Sequence, residues 1–196
     1  MPAPALLRTE RLLLRPWSPA DAERLQPVLA ASHAHLAPWI PARVADPATV
    51  PVLAERLAGF AADFADAREW RYGLFTVDGS RVLGEVGLYP RDATARVPYT
   101  RADRVEVGYW LRADATGQGL ATEAARAALD VAARLPGLAQ AEIRCDARND
   151  ASAAVPRRLG FSLAAVRREP EGATAPAMDL QIWTLALTAR DHAAGG

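Results

Sequence analysis

A glycine turn at the start of a predicted helix is the segment of this sequence whose residue types most clearly indicate chemistry. Gly108-Tyr109-Trp110-Leu111 predicts the end of a strand, and after a five-residue spacer Gly117-Gln118-Gly119-Leu120-Ala121-Thr122-Glu123 opens an alanine-rich helix. Glycines let the backbone approach a ligand closely, and the first turn of a helix leaves backbone N–H groups without partners. The sequence therefore predicts an anion site, most naturally one for phosphate.

Two familiar phosphate-binding motifs do not fit this turn. A P-loop needs Gly-Lys-Ser/Thr at the helix start, and the chain contains no lysine. A Rossmann fingerprint needs a third glycine at the position of Thr122 and a first strand–helix unit early in the chain. Both motifs are excluded by residue type.

A third motif matches the turn. Thr116-Gly117-Gln118-Gly119-Leu120-Ala121 resembles the pyrophosphate loop Gln/Arg-x-x-Gly-x-Gly/Ala of the GNAT acyltransferases, with Thr in the first position. Downstream, Asn149-Asp150-Ala151-Ser152 followed by Leu159-Gly160-Phe161 resembles the branch that contains the ribosomal-protein N-terminal acetyltransferases. The opening Thr9-Glu10-Arg11-Leu12-Leu13-Leu14-Arg15-Pro16 is similar to the first strand of that branch, so the resemblance covers roughly residues 6 to 187.

The resemblance implies an α+β fold of the GNAT type. That fold has a central, mostly antiparallel, twisted mixed sheet of about seven strands, about four helices, and splayed strands at an acetyl-CoA site.

Length and hydrophobic content favour a single domain over residues 1–196, with a core at 6–187 and a tail at 188–196. Periodicity, capping residues and turn residues predict a strand at 6–17, helices at 18–31 and 50–64, a hairpin of 72–77 and 82–89, a strand at 105–111, a helix at 120–135, a strand at 141–147, a helix at 150–159, and a hairpin of 162–168 and 179–187.

The same resemblance implies where acetyl-CoA would lie. Its pantetheine would follow the strand that ends at Leu111, and its pyrophosphate would meet the N–H groups of the glycine turn. The implied contacts are Tyr109, Trp110, Leu111, Gly117, Gln118, Gly119, Leu120, Ala121, Thr122 and Asn149. Asn149 and Ser152 also belong to the residue types that favour helix starts, so capping is an alternative role for both.

Acetyl transfer to an amine needs a base, because an α-amino group with a pKa of about 8 is largely protonated near neutral pH, and it needs a proton donor for the leaving thiolate. Glu106 resembles the strand glutamate of many GNAT enzymes, and Glu85 on the neighbouring strand is the alternative base. The common GNAT acid is a tyrosine at the position of Pro156. Ser152, which matches the serine of the ribosomal-protein branch, is the implied acid or proton relay.

The loops at 32–48 and 90–104 are predicted to face the acceptor, and Trp39 is the aromatic residue expected to touch it. These loops contain three aspartates beside five arginines: Asp46, Asp92, Asp103, Arg43, Arg91, Arg96, Arg101 and Arg104. This balance favours an acceptor with anionic character, or a peptide, over a polycation.

The function implied by the resemblance is acetyl-CoA-dependent N-acetyl transfer by direct attack in a ternary complex. The most natural acceptor is a protein N-terminal α-amine, as in ribosomal proteins. A small-molecule amine acceptor, either an antibiotic or a polyamine, and a non-catalytic CoA-binding module are the alternatives.

Composition narrows the class of protein. The 23 basic residues are balanced by 23 acidic ones, so the sequence does not predict direct nucleic-acid binding. Neither a signal peptide nor a membrane-spanning run is predicted, and a cytoplasmic protein is expected. The single cysteine, Cys145, is expected in the core, and His33, His35 and His192 do not predict a metal site. The apolar strand at 182–187 favours some association, including a homodimer.

Overall fold

The computed structural model describes residues 3–170 and 177–187. Within them the chain forms eight strands: β1 (Leu7–Arg8), β2 (Leu12–Pro16), β3 (Trp70–Thr76), β4 (Val82–Arg91), β5 (Arg104–Leu111), β6 (Gln140–Asp146), β7 (Ser162–Glu169) and β8 (Met178–Ala186). It also forms five α-helices: α1 (Ala22–Leu36), α2 (Ala42–Ala45), α3 (Val50–Ala65), α4 (Leu120–Ala132) and α5 (Asp150–Leu159). The predicted tail at 188–196 lies outside the described residues.

The predicted order of elements is confirmed, with one additional strand and one additional helix. The predicted strand at 6–17 is two strands because Thr9 turns the chain. Its backbone N–H donates to the carbonyl oxygen of Leu12 at 3.0 Å, and its hydroxyl accepts from the N–H of Leu12 at 3.0 Å. The predicted loop at 32–48 contains the last turn of α1 and the short helix α2.

All eight strands belong to one sheet with the order β1-β2-β3-β4-β5-β6-β8-β7. Every neighbouring pair is antiparallel except β5 and β6. Their parallel pairing joins residues 104–106 to residues 140–142 and then stops. Beyond Glu106 the two strands separate, which confirms the splay that the resemblance implies.

Helices cover both faces of the sheet. On one face α4 packs against β4 and β5, and the buried residues there include Ala124, Ala125, Ala128, Val86, Val107 and Leu111. On the other face α1 and α3 contribute to a second cluster that includes Leu25, Leu53, Leu57, Phe75 and Trp110. Because side chains alternate along β5, Glu106 and Trp110 lie on the α1–α3 side, and Tyr109 lies on the side of α4.

Neither a membrane-spanning helix nor a metal-binding group is found within residues 3–170 and 177–187. None of the helices in these ranges has the length and hydropathy that a bilayer crossing requires. Nor do three or more His, Cys, Asp or Glu side chains come together there in a group that could hold a metal ion.

Gly84 provides a test of how closely β4 and β5 are packed. A Cβ added at Gly84 would lie 2.1 Å from the carbonyl oxygen of Trp110. We expect Gly84→Ala to lower the free energy of unfolding by about 2–3 kcal/mol, since overpacking costs about 1–3 kcal/mol and the atom that is met belongs to the backbone. Urea denaturation measures the change.

Gly59, an exposed residue inside α3, is the matched control. A Cβ at Gly59 would meet nothing within 4 Å. Gly59→Ala is expected to raise the free energy of unfolding by about 0.5–1 kcal/mol through helix propensity. Equal effects of the two substitutions would contradict the packing described for Gly84.

Candidate active site

Two adjoining cavities lie where β5 and β6 separate. The first, a long cleft of about 480 Å³, is lined by the glycine turn, the end of β5 and α5. The second, an inner cavity of about 180 Å³, is lined by β4, β5, β6 and the segment around α2. Six residues line both cavities: Trp39, Ile40, Tyr109, Trp110, Asn149 and Ser152. The two cavities therefore meet between the end of β5 and the first turn of α5.

The glycine turn has the features of an anion site and lines the long cleft. Gly117 and Gly119 have left-handed backbone conformations, with φ of 74° and 79°, and Gly119 is the N-cap of α4. The first N–H groups of a helix lack intrahelical partners. The hydroxyl of Thr122 is also buried and has no hydrogen-bond partner among the described residues. Open N–H groups and an unpartnered buried hydroxyl together fit a phosphate or pyrophosphate group.

The N-terminal hairpin holds this turn in place. Glu123 accepts hydrogen bonds from the Thr9 hydroxyl at 2.6 Å, from the Arg11 N–H at 2.9 Å and from Arg11 Nε at 2.7 Å. Arg11 also donates through Nη1 to the carbonyl oxygen of Gln118 at 2.8 Å. Burial acts to raise the pKa of Glu123, but the hydrogen bonds from Thr9 and Arg11 outweigh it and lower that pKa. Glu123 is thus an ionised anchor for the turn.

The outer end of the long cleft carries basic side chains. An extension of about 440 Å³ is lined by Glu10, Arg11, Gly117, Gly119, Thr122, Glu123, Arg126 and Arg158. Within residues 3–170 and 177–187, Arg126 and Arg158 form no ion pair with a carboxylate. Arg157, by contrast, packs over the ring of Trp183 at 5.4 Å. Arg126 and Arg158 are therefore available to an anionic ligand in the cleft.

Tyr109 and Ser152 join β5 to α5 across the splay. The Tyr109 hydroxyl donates to the carbonyl oxygen of Ser152 at 2.9 Å, and the Ser152 hydroxyl donates to the Tyr109 hydroxyl oxygen at 3.3 Å. Burial raises the pKa of Tyr109, so its phenol remains protonated at neutral pH. The Asn149 side chain accepts from the N–H of Ser152 at 3.0 Å and caps α5. Asn149 therefore has the capping role while also lining both cavities.

Glu85 is a buried carboxylate in the inner cavity, with 4% of its surface exposed. Trp17 Nε1 donates to one of its oxygens at 2.7 Å, and Arg71 Nη1 donates to the other at 3.1 Å. Burial raises the pKa of Glu85, although the charge of Arg71 acts in the opposite direction. A carboxylate with a raised pKa is a stronger proton acceptor than an ordinary one.

Glu106 has a different environment in the same cavity. Arg91 Nη1 binds one of its oxygens, and Arg96 Nη2 donates to the other at 2.5 Å. Arg91 is buried and also forms an ion pair with Glu142 at 3.4 Å. Glu106 therefore belongs to an ion-pair network that attaches the segment following β4 to the sheet.

The Tyr89 ring lies flat against the sheet in this cavity. A Cβ at Gly87 would be 2.4 Å from the Tyr89 hydroxyl oxygen, and a Cβ at Gly108 would be 3.1 Å from the ring. The guanidinium groups of Arg96 and Arg71 lie 3.9 Å and 5.0 Å from the ring centre. Two glycines on neighbouring strands thus make room for an aromatic surface that carries two cations.

The structure brings most of the predicted site residues together. The long cleft is lined by Trp39, Tyr109, Trp110, Leu111, Gly117, Gly119, Leu120, Ala121, Thr122, Asn149 and Ser152. Glu85 and Glu106 line the inner cavity but not the long cleft. Gln118 is not among the lining residues, because its side chain donates to the carbonyl oxygen of Asp114 at 3.3 Å. Cys145 lines the inner cavity, and burial raises the pKa of its thiol.

Three residues were not predicted from the sequence: Arg71 and Tyr89, which line the inner cavity, and Trp17, which binds Glu85. The contact of Trp17 with Glu85 joins positions 68 residues apart. No local pattern in the sequence predicts that contact. The predicted strand at 72–77 begins one residue after Arg71. In β3 the alternation of Arg71 with Gly73, which pairs with Glu85, places Arg71 on the face of Glu85, but alternation alone could not have shown the pair.

Comparison with known proteins decides the family. The family model described as "Acetyltransferase (GNAT) domain" matches residues 11–162. The chain belongs to the GNAT acetyltransferase family. It is accordingly an acetyltransferase whose co-substrate is acetyl-CoA, and the alternative of a non-catalytic CoA-binding module is not supported.

Individual relatives agree with this assignment. A protein of Bacillus subtilis (strain 168), named "Putative ribosomal N-acetyltransferase YdaF", is 28% identical over 153 residues, which are 78% of each chain. The ribosomal L7/L12 alpha-N-protein acetyltransferase RimL, solved in complex with coenzyme A, is 19% identical with a TM-score of 0.79 over 95% of this chain and 98% of its own. The microcin C7 self-immunity acetyltransferase MccE, solved with acetyl-CoA and AMP, is 17% identical with a TM-score of 0.77 over 91% of this chain and 93% of its own. At these identities the two solved structures show the shared fold.

Thr122 provides a test of the anion site in this GNAT acetyltransferase. Its hydroxyl is buried without a partner in the protein. We expect Thr122→Val to raise the free energy of unfolding of the ligand-free enzyme by about 1 kcal/mol, because the desolvation cost of the hydroxyl disappears. The same change should weaken acetyl-CoA binding about tenfold, because a hydrogen bond to a charged phosphate is lost. Urea denaturation and calorimetric titration measure the two effects.

Thr116→Val is the control for the stability measurement. The Thr116 hydroxyl already donates to the carbonyl oxygen of Ala113 at 2.9 Å. Its removal should therefore give no gain in stability. A Thr122→Val enzyme that is less stable and binds acetyl-CoA normally would argue against a phosphate contact at this hydroxyl.

Proposed function

We propose that this enzyme transfers the acetyl group of acetyl-CoA to the α-amine of a peptide or protein N-terminus, by direct attack in a ternary complex. The observation that carries the proposal is the meeting of the long cleft and the inner cavity at Tyr109, Asn149 and Ser152. One cavity has a phosphate-type turn and the other has carboxylates, so both substrates can be bound at once. Acetyl-CoA supplies the acetyl group as an activated thioester.

We infer that Glu85 is the better candidate for the base. The two oxygens of Glu106 are each bound by an arginine of the network that attaches the segment following β4 to the sheet, so its contacts indicate a structural role. Glu85 faces one arginine and the neutral Trp17 N–H, and burial raises its pKa. Because Glu85 pairs across the strands with Trp110, it lies beside the junction of the two cavities. A proton from the amine would reach Glu85 directly or through water.

Ser152 is the proposed proton donor to the leaving thiolate. Its hydroxyl lies at the junction of the cavities and is hydrogen-bonded to the Tyr109 hydroxyl. When Ser152 gives up its proton, the protonated Tyr109 phenol can replace it by turning from the Ser152 carbonyl oxygen, which it now binds. This pair takes the place of the family tyrosine, whose position is occupied by Pro156 in α5.

The charges of the inner cavity support a peptide over a polyamine or an aminoglycoside. A polycation would be favoured by free carboxylates, whereas Glu85 and Glu106 are both engaged by arginines. A peptide also agrees with the name of the Bacillus subtilis relative, a ribosomal N-acetyltransferase. The exposed indole of Trp39, which lines both cavities, would contact the first residues of such a peptide.

The direct test is acetyl-CoA turnover by free-thiol release with short peptides that begin with Ala, Ser or Thr. We expect turnover with these peptides and none with the same peptides carrying an N-terminal acetyl group. Polyamines and aminoglycosides form the comparison series. Turnover confined to the small-molecule amines would overturn the peptide acceptor and leave the acetyltransferase assignment unchanged.

The role of Glu85 predicts a particular pH dependence. Below the pKa of the peptide amine, log(kcat/KM) should rise with pH with a slope of one, because the amine must lose a proton before it attacks. Below the raised pKa of Glu85 the slope should be two, because both the amine and Glu85 must then lose a proton. Glu85→Gln should lower kcat about 100-fold and abolish the steep region. Initial rates measured across the acid range give both quantities.

Glu69→Gln is the matched control, because Glu69 accepts from Arg71 Nε at 2.5 Å and so also neutralises that arginine. It should leave the steep region in place. Ser152→Ala should lower kcat without altering the slopes, since it removes the donor and not the base. If Glu106→Gln abolishes the steep region and Glu85→Gln does not, the base is Glu106.

A further inference from the structure

The carboxylates that line the inner cavity present little negative charge to an entering acceptor. Each is bound by at least one arginine and is largely buried. The side chains of Glu85, Glu106 and Asp146 are 5%, 15% and 6% exposed. Their arginine partners are Arg71 for Glu85, Arg91 and Arg96 for Glu106, and Arg148 for Asp146.

Arg43 differs from these arginines because no residue within 3–170 and 177–187 neutralises it. It lies in α2, lines the inner cavity and is exposed. Across residues 3–170 and 177–187 it has neither a hydrogen bond nor an ion pair. The acid nearest to it in sequence, Asp46, is bound by His33 Nε2 at 3.0 Å. Arg43 therefore brings an uncompensated positive charge to the wall of the cavity.

A second exposed cation lines the same cavity. The Arg96 side chain is 43% exposed, and its guanidinium lies 3.9 Å from the centre of the Tyr89 ring. Arg43 and Arg96 come from the two segments predicted to face the acceptor, 32–48 and 90–104. The exposed charge on the wall of the cavity is thus positive, although the chain as a whole has a net charge of +0.

We propose that the acceptor is a peptide with a carboxylate side chain at its second or third residue, and that Arg43 binds this carboxylate, with Arg96 adding to the positive potential. This inference rests on the peptide acceptor proposed above. Arginine suits the role because its planar fork can bind a carboxylate through two N–H groups. The same positive potential disfavours the protonated form of the peptide amine and so favours the neutral form that attacks.

The test uses three peptide sets that begin with Ser and differ only at the second and third residues, which are Asp, Asn or Lys. With acetyl-CoA and the full-length enzyme, kcat/KM should be about two- to fivefold higher for the Asp peptide than for the Asn peptide, and lowest for the Lys peptide. The preference should diminish at high salt, because exposed charges are screened. Arg43→Gln should remove the preference, and Arg43→Glu should reverse it in favour of Lys.

Arg167→Glu is the matched control, since Arg167 is an exposed arginine on β7 that lines none of the three cavities. It changes the net charge equally and should leave the preference unaltered. Equal kcat/KM for the three sets, or a preference that persists in Arg43→Glu, would overturn this inference and leave peptide acetylation standing. No turnover with any peptide would overturn both.

Discussion

The separation of β5 from β6 beyond Glu106 is the constraint on which the site depends. Parallel pairing ends after three residues of each strand, so the edge of residues 107–111 that faces β6 has no strand partner. Buried backbone N–H and C=O groups need partners, and a ligand lying in the gap can supply them. The helices that follow the two strands, α4 and α5, begin on either side of the gap. The long cleft, the glycine turn and the Tyr109–Ser152 contact all follow from this one interruption of the sheet.

A second organising feature is a set of carboxylates held by arginine. Arg71 serves Glu85, and Arg91 lies between Glu106 and Glu142, all of them at least half buried. Removing one partner of such a pair leaves an uncompensated buried charge, which typically costs about 3–5 kcal/mol. In a chain without lysine, every such contact is made by a planar group that can bind two acceptors. The network therefore fixes the segment that follows β4. Arg43 is not part of it, and its positive charge remains exposed in the inner cavity.

The fold and the grouping of the glycine turn with the end of β5 along one cleft were largely predictable from the sequence, because their signals are local. Gly117, Gly119 and the helix after them are contiguous, and alternation along β5 places Glu106 and Tyr109 on opposite faces. The acceptor half was not predictable in detail. The environment of Glu85 depends on Trp17 and Arg71, which reach it from other strands and loops, and the relative merit of Glu85 and Glu106 as bases depends on those contacts. The division of 6–17 into β1 and β2 depends on a single turn at Thr9.

That turn at Thr9 has a consequence for how the enzyme is assembled. Thr9 and Arg11 reach Glu123 across 114 and 112 positions of sequence, so the glycine turn is held by a segment that a ribosome delivers long before the turn itself. Thr9 and Arg11 therefore lack their partner Glu123 until α4 has been synthesised. A fragment that began at Leu12 would keep the glycine motif and nearly all of the residues matched by the family model, yet it would lack both side chains that immobilise the motif. The fixed position of the glycine turn is thus a property of both segments together and not of the motif alone.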